Sequence, residues 1–296
     1  MSLNMIAPAT VGAANIVSSS IADEPAYNAG TTYANEDRVT YNGFAWESLQ
    51  AGNTGNTPAV GSEWWVKVGL PASLRPFDNK ISNADEQAVN ITYTLSLAGF
   101  NTGVALYNLI GTAAQVIYRD ADDIERYNET ETLRDNSGVY SWYSYFYKRR
   151  QQKTEVLFED IPRYLGGELD IIITTANNVA AVGEIVPGMI LPIGDALFGS
   201  SVGIQDFSRK VVDEGFGGIE VVERDYSDTI DFDVAISTPR VTFIKRELAK
   251  RRAKPTVYYT RGAAGLMSVI GFYSDLTIVV GNPVFSDCSL EIEGLV

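Results

Sequence analysis

The sequence predicts a mainly β, multi-domain protein. Its parts are a small three-stranded aromatic module, an antiparallel β-sandwich, and a C-terminal α+β domain with one helix on a β-sheet. Three observations predict this. Trp46, Trp64 and Trp65, three of the 4 tryptophans, fall in one short stretch of mostly small and polar residues. Short β-branched runs separated by turn residues fill the middle of the chain. A single amphipathic helical pattern, at 237–254, sits among long alternating runs. The chain then divides into an N-terminal arm (1–26), the aromatic module (27–69), a linker (70–80), the sandwich (81–186) and the α+β domain (187–296).

Each element has its own reason. Residues 1–26 are small and apolar with the serine run IVSSSIADEP, and read as an extended arm or lead-in strand. A segment as short as 27–69 buries little aliphatic surface, so indoles must supply core. Indoles not used as core face outward, toward a flat ligand or a neighbouring subunit. GLPASLRPFDNK (69–80) has two prolines and reads as a linker that packs on its neighbours. AVNITYTLSL (88–97), VALYNLI (104–110), AAQVIYRD (113–120), TEVLFED (154–160) and GELDIIITTA (167–176) read as strands. VALYNL is apolar on both faces, as a central strand requires. YSWYSYFYKRR (140–150) reads as a strand with aromatics on both sides, a core and inter-subunit face.

VGIQDFSRKVVDE (202–214) and GGIEVVERDYSDTIDFDVAI (217–236) flank EGFGG and predict a hairpin with long arms. In STPRVTFIKRELAKRRAK (237–254), Ser237 or Thr238 is the expected cap and Pro239 fits the first helical position. Val241, Ile244 and Leu248 form the apolar stripe. PTVYYT, MSVIGFYSDLTIVV and CSLEIEGLV complete the sheet, the last ending inside a strand.

Composition narrows the function. The chain has 296 residues, with 37 Asp and Glu against 23 Lys and Arg, for a formal charge of −14. Such a chain repels phosphate backbones, so nucleic-acid binding is not expected. No run of about 18 apolar residues predicts a membrane helix. The N-terminus lacks a basic segment followed by an apolar run, so no secretory signal is expected. Cys288 is the 1 cysteine, which excludes an internal disulfide and suits a reducing compartment. The absence of histidine removes Ser-His-Asp and Cys-His catalysis and every His-containing metal site. A two-carboxylate glycosidase survives this filter, yet no pair stands out. The acids of DADD (120–123) and DFD (231–233) lack the calcium-loop spacing and read as solvated turn acids. No catalytic residue, metal site or cofactor is expected. The basic block KRELAKRRAK (245–254), with Lys245, Arg246, Arg251 and Arg252, reads as one side of a subunit contact or as a solvated helix face.

Tyr27, Tyr33, Asp37, Val39, Tyr41, Gly43, Trp46, Pro58 and Trp64–Trp65 follow one another in a fixed order. This order resembles the small chitin-binding modules appended to bacterial chitinases. The resemblance implies sugar-facing roles for Tyr27, Trp46 and one of Trp64 and Trp65. One departure is clear: the family has Gly-Asp before the valine strand, and here Glu36–Asp37 follows Asn35. The tight turn is therefore expected to differ.

The wider chain, from MIAPATVGAANIVSSSIAD through SLQAGNTGN, SWYSYFY and VVERDYSDTIDF to CSLEIEGLV, resembles a family of tailed-bacteriophage tail proteins. That resemblance implies a structural virion protein of the distal-tail or baseplate-ring kind, made in the host cytoplasm. It implies a homo-oligomeric ring, hexamer or trimer, in contact with other tail proteins. Through its module it implies weak contact with host cell-surface polysaccharide. Residues 187–296 would build the ring and the module would hang outside. A receptor-binding, lectin-like adhesin of the virion is the alternative. A polysaccharide hydrolase would need two convergent carboxylates.

Overall fold

The computed structural model describes residues 1–81, 84–87, 90–136, 139–148, 151–176, 179–212, 219–262 and 265–295. The protein is mainly β, with several sheets and one longer helix near the C-terminal end. It divides into two compact units. One comprises residues 1–9, 101–104 and 186–296, and the other residues 10–100 and 105–185.

The first unit is an antiparallel sheet with a helix on one face. Strand Ser2–Pro8 pairs on one side with Glu184–Ala196, through residues 188–195, and on the other with Thr256–Gly262. Gly265–Val279, Phe285–Gly294, Tyr226–Ser237 and Ser201–Asp206 follow in that order. Residues 1–9 are therefore no free arm. Leu3, Met5 and Ile6 are buried, and that burial fixes the strand between two partners. The long-armed hairpin is present: Ser201–Asp206 pairs with Tyr226–Ser237, and Arg209–Val212 with Ile219–Val222. Its EGFGG turn lies outside the described residues.

Helix α2 is Val241–Lys250, preceded by a 3₁₀ turn, Thr238–Arg240, that holds Pro239. Ile244 and Leu248 are buried against Phe232, Leu290 and Tyr258, with Val241 packed alongside. The expected caps do not act as caps. Ser237 makes no side-chain cap bond. The Thr238 hydroxyl instead donates to Asn282 O at 2.8 Å. Proline with its preset φ starts the turn without a side-chain acceptor.

The second unit contains a five-stranded antiparallel sheet ordered Glu125–Thr132, Ala113–Arg119, Glu168–Thr174, Ile91–Ser96, Ile16–Ser19. Alternation buries one face in cross-strand rows. Val116, Ile171 and Tyr93 form one row, and Tyr118, Leu169 and Leu95 another. Gly103–Tyr107 is buried on both faces, as its sequence predicts, and neighbours Glu155–Phe158. The proline-containing segment 70–80 holds a 3₁₀ helix, Ala72–Phe77. Its first amides donate to the carboxylates of Glu24 and Asp23 at 3.1 and 2.8 Å. Arg75 pairs with Glu24, and Phe77 meets Tyr93 edge-on, so the segment is docked.

The aromatic run at 140–148 is not a strand. It forms helix α1, Trp142–Tyr147. Ser141 accepts from Ser144 N, and the Ser144 hydroxyl accepts from Ser141 N, a reciprocal cap. This local bonding overrides the β preference of aromatic side chains. Residues 149–150 lie outside the described residues.

Candidate functional site

The aromatic module is built on a three-stranded sheet, Arg38–Tyr41, Phe44–Ser48 and Trp65–Gly69, with a second pair, Thr32–Tyr33 and Asn53–Thr54. Asn42 and Gly43 turn the first hairpin with φ of 50° and 76°, and Tyr41 faces Phe44 across it. Two consecutive positive φ values are what a tight two-residue hairpin needs, and Asn-Gly supplies them. Glu36 takes a φ of 69° where the resembled family has glycine. The turn is closed nonetheless: Asp37 Oδ2 accepts from Ala34 N at 2.6 Å, and Glu36 N donates to Ser48 O at 2.8 Å.

The module places its predicted sugar contacts unequally. Trp65 is 2% exposed and Trp46 is 5% exposed, in a core with Tyr33 and Val39. Their indole N–H groups donate to Asn56 O at 2.7 Å and Tyr41 O at 3.1 Å. Trp46 and Trp65 are therefore core residues, a correction to the sugar-facing expectation. A module this small has little else to bury. Tyr27 and Trp64 are half-buried and pack on that core from outside. Tyr27 meets Tyr33, Tyr41 and Trp65 at ring separations of 5.6–5.9 Å. These two are the predicted residues that keep ring surface at the solvent side.

A denser aromatic surface lies on α1. Every residue of α1 except the buried Ser144 is an exposed aromatic, with Trp142 81% and Tyr147 76% exposed. Trp142 stacks on Phe146, and Tyr143 on Tyr147. The run was visible in the sequence. Its exposure was not, because a strand reading assigned one side of it to core.

On α2, Lys245 and Arg246 are exposed, Arg252 is exposed in the turn beyond, and Arg251 is half-buried. None of these four forms an ion pair among the described residues. Lys250 does, with Glu247 at 2.6 Å. Lys250, Arg251 and Arg246 together hold the Glu247 carboxyl below its ordinary range.

Titratable groups gather around residues 78–80. The Glu184 side chain is 3% exposed and accepts from Asn79 N at 3.0 Å. Burial, reinforced by the charge of Asp78, pushes its carboxyl up to about 8. Burial raises Asp78 as well. Asp78 lines a cavity of about 290 Å³ with Arg38, Arg75 and Lys80. Arg38 pairs with Glu47 at 2.8 Å, and Arg75 with Glu24, so these cations are compensated. Glu184 is closed off from solvent. Asp120 organises the DADD turn: its carboxylate accepts from Asp122 N, Ile124 N and Arg126 Nε. Burial drives the Cys288 thiol up to about 11, which leaves it inert. Among the described residues no group of three or more His, Cys, Asp or Glu side chains is placed to hold a metal.

No protein-family profile matches the chain, and no solved structure matches it. Among curated proteins, 4-hydroxy-2-oxovalerate aldolase 2 of Nocardia farcinica (strain IFM 10152) is 31% identical over 117 residues. The match covers 38% of this chain and 33% of that protein. The chain thus spans about a third of that relative's length, and the similarity establishes neither a family nor an enzymatic activity.

Proposed function

We propose that the chain is a structural subunit of a bacteriophage tail, of the distal-tail or baseplate-ring kind. It acts as a homo-oligomer, contacts other tail proteins and resides in the virion. The sequence resemblance supplies the tail assignment. The observation that carries the assembly part is α1, a helix ringed by exposed Trp142, Tyr143, Tyr145, Phe146 and Tyr147. Aromatic side chains concentrated in this way are the composition of interface centres. The reading gives the chain no catalytic role. The module contributes weak glycan contact through Tyr27 and Trp64. A single site of this size binds at about millimolar affinity, and a ring of copies raises avidity by about 10²–10⁴.

One observation favours a receptor-binding adhesin instead. The stacked, exposed rings of Trp142 and Phe146 offer flat apolar faces of the kind that meet a sugar ring. Size-exclusion chromatography with light scattering, joined to tryptophan fluorescence during titration with chitin oligomers and cell-wall glycans, separates the two. The structural reading expects a ring-sized mass and a fluorescence change only at about millimolar oligosaccharide. A monomer with a saturable fluorescence shift that disappears in Trp142→Ala or Trp64→Ala would replace it with the adhesin reading.

A further inference from the structure

The sheet of the C-terminal unit carries opposite charge on its two sides. Side chains along Tyr226–Ser237 and Phe285–Gly294 alternate between faces. Phe232, Val234, Leu290 and Ile292 point into the core that α2 covers. Among the residues that alternate with them and point away, Asp231, Asp233, Asp287 and Glu291 are acidic and exposed. Asp231 pairs across the strands with Glu291, and Glu291 with the exposed Asp275 of the next strand. Three carboxylates thus lie in one cross-strand row. Like charges directly opposite destabilise a sheet. None of these acids has an ion pair among the described residues. A face that accumulates this repulsion gains from a cationic partner.

The same face has an apolar socket. A cavity of about 300 Å³ opens between Asp233 and Asp287, walled by Leu197, Phe198, Thr277 and Val279. Phe198 is 95% exposed at its edge. The other side of the unit offers the matching shape and charge. On the solvent side of α2, Phe243 is 42% exposed, with the exposed Arg246 one turn further on the same side. An apolar knob flanked by Arg246 faces away from the core on one side, and an apolar socket rimmed by carboxylates on the other.

We propose that the acidic sheet face docks α2 of a second copy, head to tail. Phe243 enters the cavity, and Arg246 faces Asp233 and Asp287. The inference rests on the homo-oligomer reading above and names the surface that answers the basic helix. Contacts between two different patches of one chain generate rings when the rotation closes. Charge complementarity of this kind fixes register and excludes wrong partners.

The test uses two variants of the full chain, Asp233→Lys/Asp287→Lys and Arg246→Glu. Sedimentation velocity across a concentration series is run on each alone and on an equimolar mixture. Each variant alone is expected to raise the dissociation midpoint at least about tenfold. The mixture is expected to regain the parent assembly, because each altered surface then meets its complement. Phe243→Ala, which leaves charge unchanged on an exposed helix face, is expected to weaken association by a similar factor. An oligomeric parent whose midpoint none of these changes moves, or a mixture that stays apart, overturns this contact and leaves the oligomer reading standing. A monomeric parent overturns both.

Discussion

Trp46 buries its ring and donates its indole N–H to Tyr41 O, so truncating it removes packing and a bond together. Trp46→Ala is expected to cost about 3–5 kcal/mol, measured as a lowered midpoint in chemical denaturation. Trp64→Ala, which loses half-buried surface, is expected to cost about 1–2 kcal/mol in the same measurement. Equal losses would mean that Trp64 is core as well. Glu184 makes the pH dependence testable. Its carboxyl sits at about 8 when folded, against 4.5 ordinarily, because burial disfavours its charged form. Between those values the folded state holds a proton that the unfolded state has released. Stability is therefore full below about pH 4.5, falls as pH rises toward 8 and levels off above. The loss is on the order of a few kcal/mol. Glu184→Gln should flatten this slope and raise the melting temperature at pH 8. A slope that persists in Glu184→Gln would assign it to other groups. Glu36 shows a local cost: its φ of 69° is a conformation in which a non-glycine residue is disfavoured by about 1–2 kcal/mol.

At the scale of elements, periodicity carried some readings and local bonding decided others. The stripe of α2 was legible because Val241, Ile244 and Leu248 recur at helical spacing on an otherwise charged segment. Leu248 is fully buried in the core that α2 covers. Leu248→Ala is expected to destabilise that unit by about 2–5 kcal/mol in chemical denaturation, and a loss under about 1 kcal/mol would mean that α2 contributes little to it. Helix α1 was not legible, because its aromatics favour a strand and only the Ser141–Ser144 cap turns them into a helix. The Asn42–Gly43 turn was a usable signal for the module's first hairpin. The basic block of α2 is contiguous and shows in the sequence. The acidic row does not, since Asp231, Asp275 and Glu291 come together only through strand register.

At the scale of the molecule, neither unit is one continuous stretch of sequence. The C-terminal unit takes residues 1–9 and 101–104 along with 186–296. Alternation in SLNMIAP shows which side chains of that strand are buried, but says nothing of its neighbours. Those neighbours lie far along the chain: Leu3 pairs with Gly194 and with Thr260. The fold also sorts charge, setting the contiguous cations of α2 on one side of a sheet and carboxylates gathered from several strands on the other.

The placement of Ser2–Pro8 has a consequence for synthesis. Leu3 and Thr260 are about 250 residues apart, so at 5–20 residues per second the strand waits roughly 13–50 s for its second neighbour. Until then the edge that later meets Thr256–Gly262 is open to other nascent chains. Closure of the C-terminal sheet is thus a late, long-range event, of the kind that slows folding through the entropy of closing a large loop.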